Sequence, residues 1–127
     1  MKPHRGHALK ALEWCRQKYG KSRYNGPCPT ISYAKPDYML DGLTGYYEPD
    51  YNHIYINSEM CDTVEELVAT VIHEYQHYLQ NMYHYQIIAK YCNHDNHPME
   101  LMALQVEKRD SKKCMQDLCR LYAIFNM

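Results

Sequence analysis

The sequence predicts an α+β fold: a small, mainly antiparallel sheet packed on one central helix, with further helices at the N- and C-terminal ends. Three observations carry that expectation. Apolar residues recur at helical spacing near the N-terminus and over most of the chain after residue 63. Between these regions, three short runs alternate in polarity or are rich in branched and aromatic residues. The stretch that holds them is dense in glycine and proline, which separate short elements rather than extend long ones. At 127 residues the chain is expected to be one domain, residues 1–127, with room for a core but not for a second folded unit.

The first helix is expected over residues 5–19, where Ala8, Leu12, Cys15 and Tyr19 fall three and four apart and Gly20 supplies a stop. Breakers follow at Gly26, Pro27, Pro29, Pro36, Asp41-Gly42, Gly45 and Pro49. Among them, residues 30–34 and 45–48 read as strands, and residues 53–57 (His-Ile-Tyr-Ile-Asn) as a third. Thr63 and Glu66 then have the spacing of a capping box, each side chain satisfying the other's backbone N–H. Val64, Leu67, Val68, Val71, Ile72, Tyr75, Tyr78 and Leu79 form a helical stripe that carries this helix to about Tyr91. The polar run from Asn93 to His97 breaks it. Pro98 opens a last helix, in one or two segments, with Leu101, Leu104, Cys114, Leu118, Leu121 and Tyr122 as its apolar face.

Composition excludes several function classes. The net charge is −1 and no run of five like charges occurs, so neither nucleic acid nor an anionic membrane has an electrostatic footprint to meet. The basic stretch Lys108-Arg109-Asp110-Ser111-Lys112-Lys113 reads as a solvated helix face. Nothing approaches 18 consecutive apolar residues, and the N-terminus lacks the apolar run of a signal peptide. The expected location is therefore cytoplasmic, or the interior of a host cell. Six cysteines without a Cys-x-x-Cys pair read as free thiols rather than disulfides. Fourteen tyrosines against one phenylalanine favour aromatic area with a polar tip, suited to cleft rims and partly wet cores.

The chemistry is concentrated in His73-Glu74-Tyr75-Gln76-His77, in the middle of the strongest helix. Four residues make about 400° of helix, so the two imidazoles emerge about 40° apart, one turn along the axis, and can grip one ion. Imidazole nitrogens suit zinc, Zn2+, and a catalytic site keeps one position open for water. Glu74 is placed to accept a proton from that water rather than to bind metal. A third ligand is needed. The spacing of the metzincins fails, because Tyr83 stands where their third histidine would be and Gln80 replaces their glycine. The remaining candidates are His94, His97 and Glu100. Glu100 falls in the first turn of the last helix, where the dipole favours a carboxylate, with small Ala103 below it to let two helices approach. His97 is the reserve ligand, and His94 or Asp95 can instead support the first histidines.

These residues resemble the gluzincins, zinc peptidases with His-Glu-x-x-His on one helix and a glutamate ligand on a later one. The size is similar to that of the minigluzincins and small bacterial or phage peptidases. The resemblance covers about residues 44–104, from Gly45-Tyr46-Tyr47 through residues 52–57 and the motif to the stretch from Pro98 to Ala103. It implies a zincin-like fold, zinc held by His73, His77 and Glu100, and Glu74 as general base in peptide hydrolysis. It also implies an extended protein or peptide substrate paired along an edge strand near residues 53–57. Tyr46, Tyr47, Tyr83 and Tyr85 are the candidates to stabilise the oxyanion. The larger gluzincins carry an aspartate beside the third ligand that supports the first histidine, and no such residue follows Glu100 here. The alternative reading is a zinc-stabilised protein-binding module, or a pseudoenzyme, without proteolysis.

Overall fold

The computed structural model describes residues 2–35 and 42–126; the expected breakers Pro36 and Asp41 lie outside the described residues. The architecture is α+β, with four α-helices and a three-stranded sheet among those residues. Helix α1 spans Arg5–Tyr19, strand β1 Thr30–Ala34, β2 Gly45–Glu48, β3 His53–Asn57, helix α2 Val64–Leu79, α3 Met82–Ala89 and α4 Pro98–Leu121. Gly20 ends α1 with φ of 78°, a conformation an L side chain rarely adopts.

The sheet order is β1-β3-β2. β3 pairs in parallel with β1 and antiparallel with β2, so the sheet is mixed rather than mainly antiparallel. The segment expected to be the edge, 53–57, is therefore the central strand. β2 and β3 are joined by a tight turn in which Asn52 takes the left-handed conformation (φ 48°). After β2 the chain lays β3 directly beside β1, parallel to it. Ile31, Tyr47, Ile54 and Ile56 are buried with the apolar stripe of α2, while Thr30, Tyr46 and Ser32 stay more open.

Helix α2 is the centre of the molecule: it packs against α1, α4 and the strands, and Leu67, Val68, Val71, Ile72, Tyr75 and Tyr78 are fully buried. Thr63 caps it by accepting from Glu66 N at 3.1 Å. The other half of the expected capping box is displaced by one residue, since Glu66 Oε2 accepts from Asp62 N at 3.2 Å. The helix also stops earlier than expected. Gln80 turns extended (ψ 158°) and Asn81 caps a new helix by accepting from His84 N at 3.1 Å. The chain thus changes direction at residues 80–81 instead of running on to Tyr91. The last helix is a single one of 24 residues, capped by His97 and opened by Pro98.

The tyrosine excess has a structural reason. Tyr75 donates to Gly20 O at 2.5 Å, Tyr78 to Gly26 O at 2.8 Å and Tyr19 to Asp110 Oδ2 at 2.6 Å. Each ring fills the core while its hydroxyl pins a loop or another helix, which phenylalanine cannot do. All six cysteines are free. Residues 123–125 form a 3-10 turn whose Phe125 is buried edge-on against His7, so this tail docks on α1; Met127 lies outside the described residues. No helix among the described residues is long and apolar enough to cross a membrane.

Candidate metal centre

α2 and α4 lie side by side, and fully buried Ala103 sits in the stretch of α4 one turn below Glu100. The site forms where the middle of α2 faces the first turns of α4. His73 and His77 rings are 5.1 Å apart, both turned to α4. His73 Nε2 is 3.0 Å and His77 Nε2 3.1 Å from Glu100 Oε1. One ligand atom from each residue lies within 4.8 Å of the other two, and the three together can hold a metal ion.

Hydrogen bonding on the far side of each ring decides what those atoms present. His73 Nδ1 donates to Glu107 Oε1 at 2.9 Å, because a carboxylate only accepts. Gln80 Nε2 donates to Met99 O at 2.9 Å, which leaves its Oε1 to accept from His77 Nδ1 at 2.8 Å. Both imidazoles therefore carry their proton on Nδ1, and in neutral form both Nε2 lone pairs point at the Glu100 oxygen. Three acceptor atoms facing one another repel unless a cation stands among them. Without a metal, protons take that role. Burial opposes charge on His73, but its hydrogen bonds to Glu100 and Glu107 overcome this and push the imidazole up to about 10. His77 is likewise raised, its burial outweighed by Glu100 and Glu74. Burial would raise Glu100, yet the bonds from His73, His77 and Tyr85 hold its carboxyl well below the usual carboxylate range.

The donor set suits a divalent transition-metal ion, zinc among them. Nitrogen and oxygen ligands at about 2.0–2.1 Å in a tetrahedron sit roughly 3.3 Å apart, within a few tenths of the 3.0 and 3.1 Å found here. Two imidazoles and one carboxylate also match the type of set that leaves a fourth position for water.

Glu74 is buried, lines the same cleft and makes no hydrogen bond among the described residues; burial raises its pKa, partly offset by His77 and His73. The cleft has a volume of about 770 Å³ and runs between α2, the start of α4 and strand β2. Gly45 lets β2 come this close: a Cβ there would stand 2.7 Å from Thr70 Cγ2 and 3.4 Å from Glu74 Cγ.

The other candidates separate cleanly. His97 is buried with both nitrogens spent, Nε2 donating to Tyr85 O at 2.9 Å and Nδ1 accepting from Met99 N at 3.1 Å, so it is not a ligand. His94 is 70% exposed, its Nε2 3.2 Å from the other Glu100 oxygen, Oε2, at the cleft mouth. Asp95 is almost fully exposed and lies 3.6 Å from His94 Nδ1. Tyr47 is buried and donates to Asn52, Tyr46 reaches Glu48, and Tyr83 is exposed. Tyr85 alone of the four reaches the ligands, donating to Glu100 Oε2. Glu107 and Gln80 were not among the residues expected at the site. Glu107 stands seven residues, about two turns, after Glu100 on one helix face, and that spacing was the available signal. No family model, curated protein or solved structure matches the chain.

Proposed function

We propose that this chain is a zinc-dependent peptidase of the gluzincin type, with zinc held by His73, His77 and Glu100. The observation that carries the reading is the convergence of two Nε2 atoms and one carboxylate oxygen, each fixed from behind, beside a buried carboxylate that makes no hydrogen bond among the described residues. A structural metal site has no use for Glu74. Zinc bound there would polarise a substrate carbonyl and lower the pKa of water. Glu74 accepts the proton of the attacking water and passes it to the leaving amine; its raised pKa suits that exchange. The hydroxyl proton of Tyr85 is committed to Glu100, so stabilisation of the oxyanion falls to His94, whose exposed ring can turn from Glu100 Oε2 into the cleft.

Substrate pairing moves from residues 53–57 to β2. β3 has neighbours on both sides, whereas β2 is paired on one side only among the described residues, and Gly45, Tyr46, Tyr47 and Glu48 all line the cleft. An extended peptide added to that edge would pass over the metal centre.

The test is metal content and cleavage of unfolded protein substrates by the wild type, Glu74→Gln and Glu100→Ala. One zinc per chain is expected in the wild type and in Glu74→Gln, and a sharp loss in Glu100→Ala. Cleavage should fall by about 10²–10⁴ in Glu74→Gln. Zinc bound without any cleavage dependent on Glu74 would replace the peptidase with the zinc-stabilised binding module.

A further inference from the structure

The two oxygens of Glu100 are used differently. Oε1 faces both imidazoles, 3.0 Å from His73 Nε2 and 3.1 Å from His77 Nε2. Oε2 accepts the Tyr85 hydroxyl and lies 3.2 Å from His94 Nε2. A carboxylate beside a cation can bind through one oxygen or through both. In a site with three protein ligands the difference matters, since a second oxygen would add a fifth ligand and crowd the position that water needs. We propose that Tyr85 is a positioning residue that holds Glu100 to one-oxygen coordination and so keeps that position open. The proposal rests on the metal site described above.

Tyr85 is built to hold still. Its ring stacks on His97 with centroids 3.9 Å apart and planes at 20°, and meets His77 edge-on at 5.5 Å. His97 Nε2 donates to the Tyr85 carbonyl at 2.9 Å, while His97 Nδ1 caps α4 by accepting from Met99 N at 3.1 Å. One buried histidine thus ties the backbone of α3 at Tyr85 to the turn of α4 that carries Glu100. Hydroxyl and carboxylate are held in register from both ends. His94 cannot supply the same restraint: it is 70% exposed, and water can replace its contact. The turn at Gln80–Asn81 is what makes the arrangement possible, because it redirects the chain so that Tyr85 crosses back over the first turn of α4.

The test loads the full chain with Co2+ alone and reads its visible absorption in the wild type and in Tyr85→Phe. Phenylalanine keeps the ring and its stack on His97 and removes only the hydroxyl. The wild type is expected to bind one equivalent with the intense bands of a four-coordinate ion. Tyr85→Phe is expected to bind one equivalent with the weaker bands of a five-coordinate ion, as Oε2 joins. Wild-type bands in Tyr85→Phe would overturn the proposal. Should that variant fail to fold by circular dichroism, X-ray absorption of the zinc-loaded wild type decides: one carboxylate oxygen supports the proposal and two overturn it. A wild type that binds neither ion sinks the metal reading itself, whereas two-oxygen binding sinks only the role of Tyr85.

Discussion

Glu107 Oε1 lies 2.9 Å from His73 Nδ1, and it reaches that atom from the same face of α4 that carries Glu100. One helix thereby supplies both a candidate ligand and the group that orients a second candidate. The carboxylate fixes the tautomer of His73 and makes its Nε2 a stronger donor. In the proposed zinc site, this glutamate two turns on would take the orienting task that an aspartate near the third ligand performs in the larger gluzincins.

Removing that support has a defined cost. Glu107→Ala should weaken metal binding by about 10–100-fold, and Glu107→Gln, which keeps an acceptor without the charge, by less. Competition against a chelator of known affinity measures both. Unchanged affinity in the alanine variant would mean that His73 is oriented by something else.

Gly45 should be irreplaceable for steric reasons. An added Cβ would stand 2.7 Å from Thr70 Cγ2 and 3.1 Å from Tyr55 O, so Gly45→Ala should destabilise the fold by about 1–3 kcal/mol in urea unfolding. Thr70→Ser deletes the offending methyl but keeps the hydroxyl that donates to Glu66 O at 2.8 Å. The double variant should recover at least about 0.5 kcal/mol relative to additivity. Strict additivity would show that β2 does not press on α2 at this point.

What could be read in advance follows the distance over which the signals act. His73, Glu74 and His77 share one helix, so their mutual placement is local geometry; Glu100, in the first turn after Pro98, stands as one of three sequence candidates beside His94 and His97, and only the packing of α4 on α2 brings it to the imidazoles. Strand positions were legible because they too are local. Strand order was not: residues 53–57 alternate as either an edge or a centre would, and the parallel pairing with β1 depends on a contact between strands that β2 separates in sequence. The break after Leu79 was hidden because Met82, Ile87 and Ile88 continue an apolar pattern, while the N-cap signal at Asn81 is a single residue. Glu107 and Tyr85 reach the site only through that break and the packing of α4 on α2.

His7 should make the docking of the C-terminal tail sensitive to acid. Its Nδ1 accepts from His4 N at 3.1 Å, which leaves Nε2–H to donate to Ile124 O at 2.7 Å. A proton on Nδ1 would destroy the first bond, and burial together with the charge of His4 lowers the pKa despite the raising effect of Ile124. The contribution of neutral His7 to stability is fully present above its unfolded value of about 6.5 and is lost as pH falls through the folded pKa. Unfolding midpoints between pH 7.5 and 5 should fall more in the wild type than in His7→Gln. Parallel curves would remove His7 from the account.

Metal binding should release protons, and the raised pKa of His73 sets the window. The pKa in the metal-free fold stands at about 10 against about 6.5 unfolded. Its stabilising effect is therefore fully present below about pH 6.5 and is lost as pH rises through about 10. A metal on Nε2 replaces that proton, so the loaded chain has nothing to lose over the same range. Two trends follow together. Apparent affinity should rise about tenfold per pH unit for each proton displaced, with His77, also raised, steepening the slope. The gap in Tm between loaded and metal-free chain should widen from pH 6.5 towards 9 as the empty site loses its protons. Calorimetric titration in two buffers of different ionisation enthalpy counts the protons released, and thermal unfolding with and without chelator reads the gap. Affinity independent of pH across this range would show that the ion does not displace a proton from His73, and the ligand assignment would fall with it.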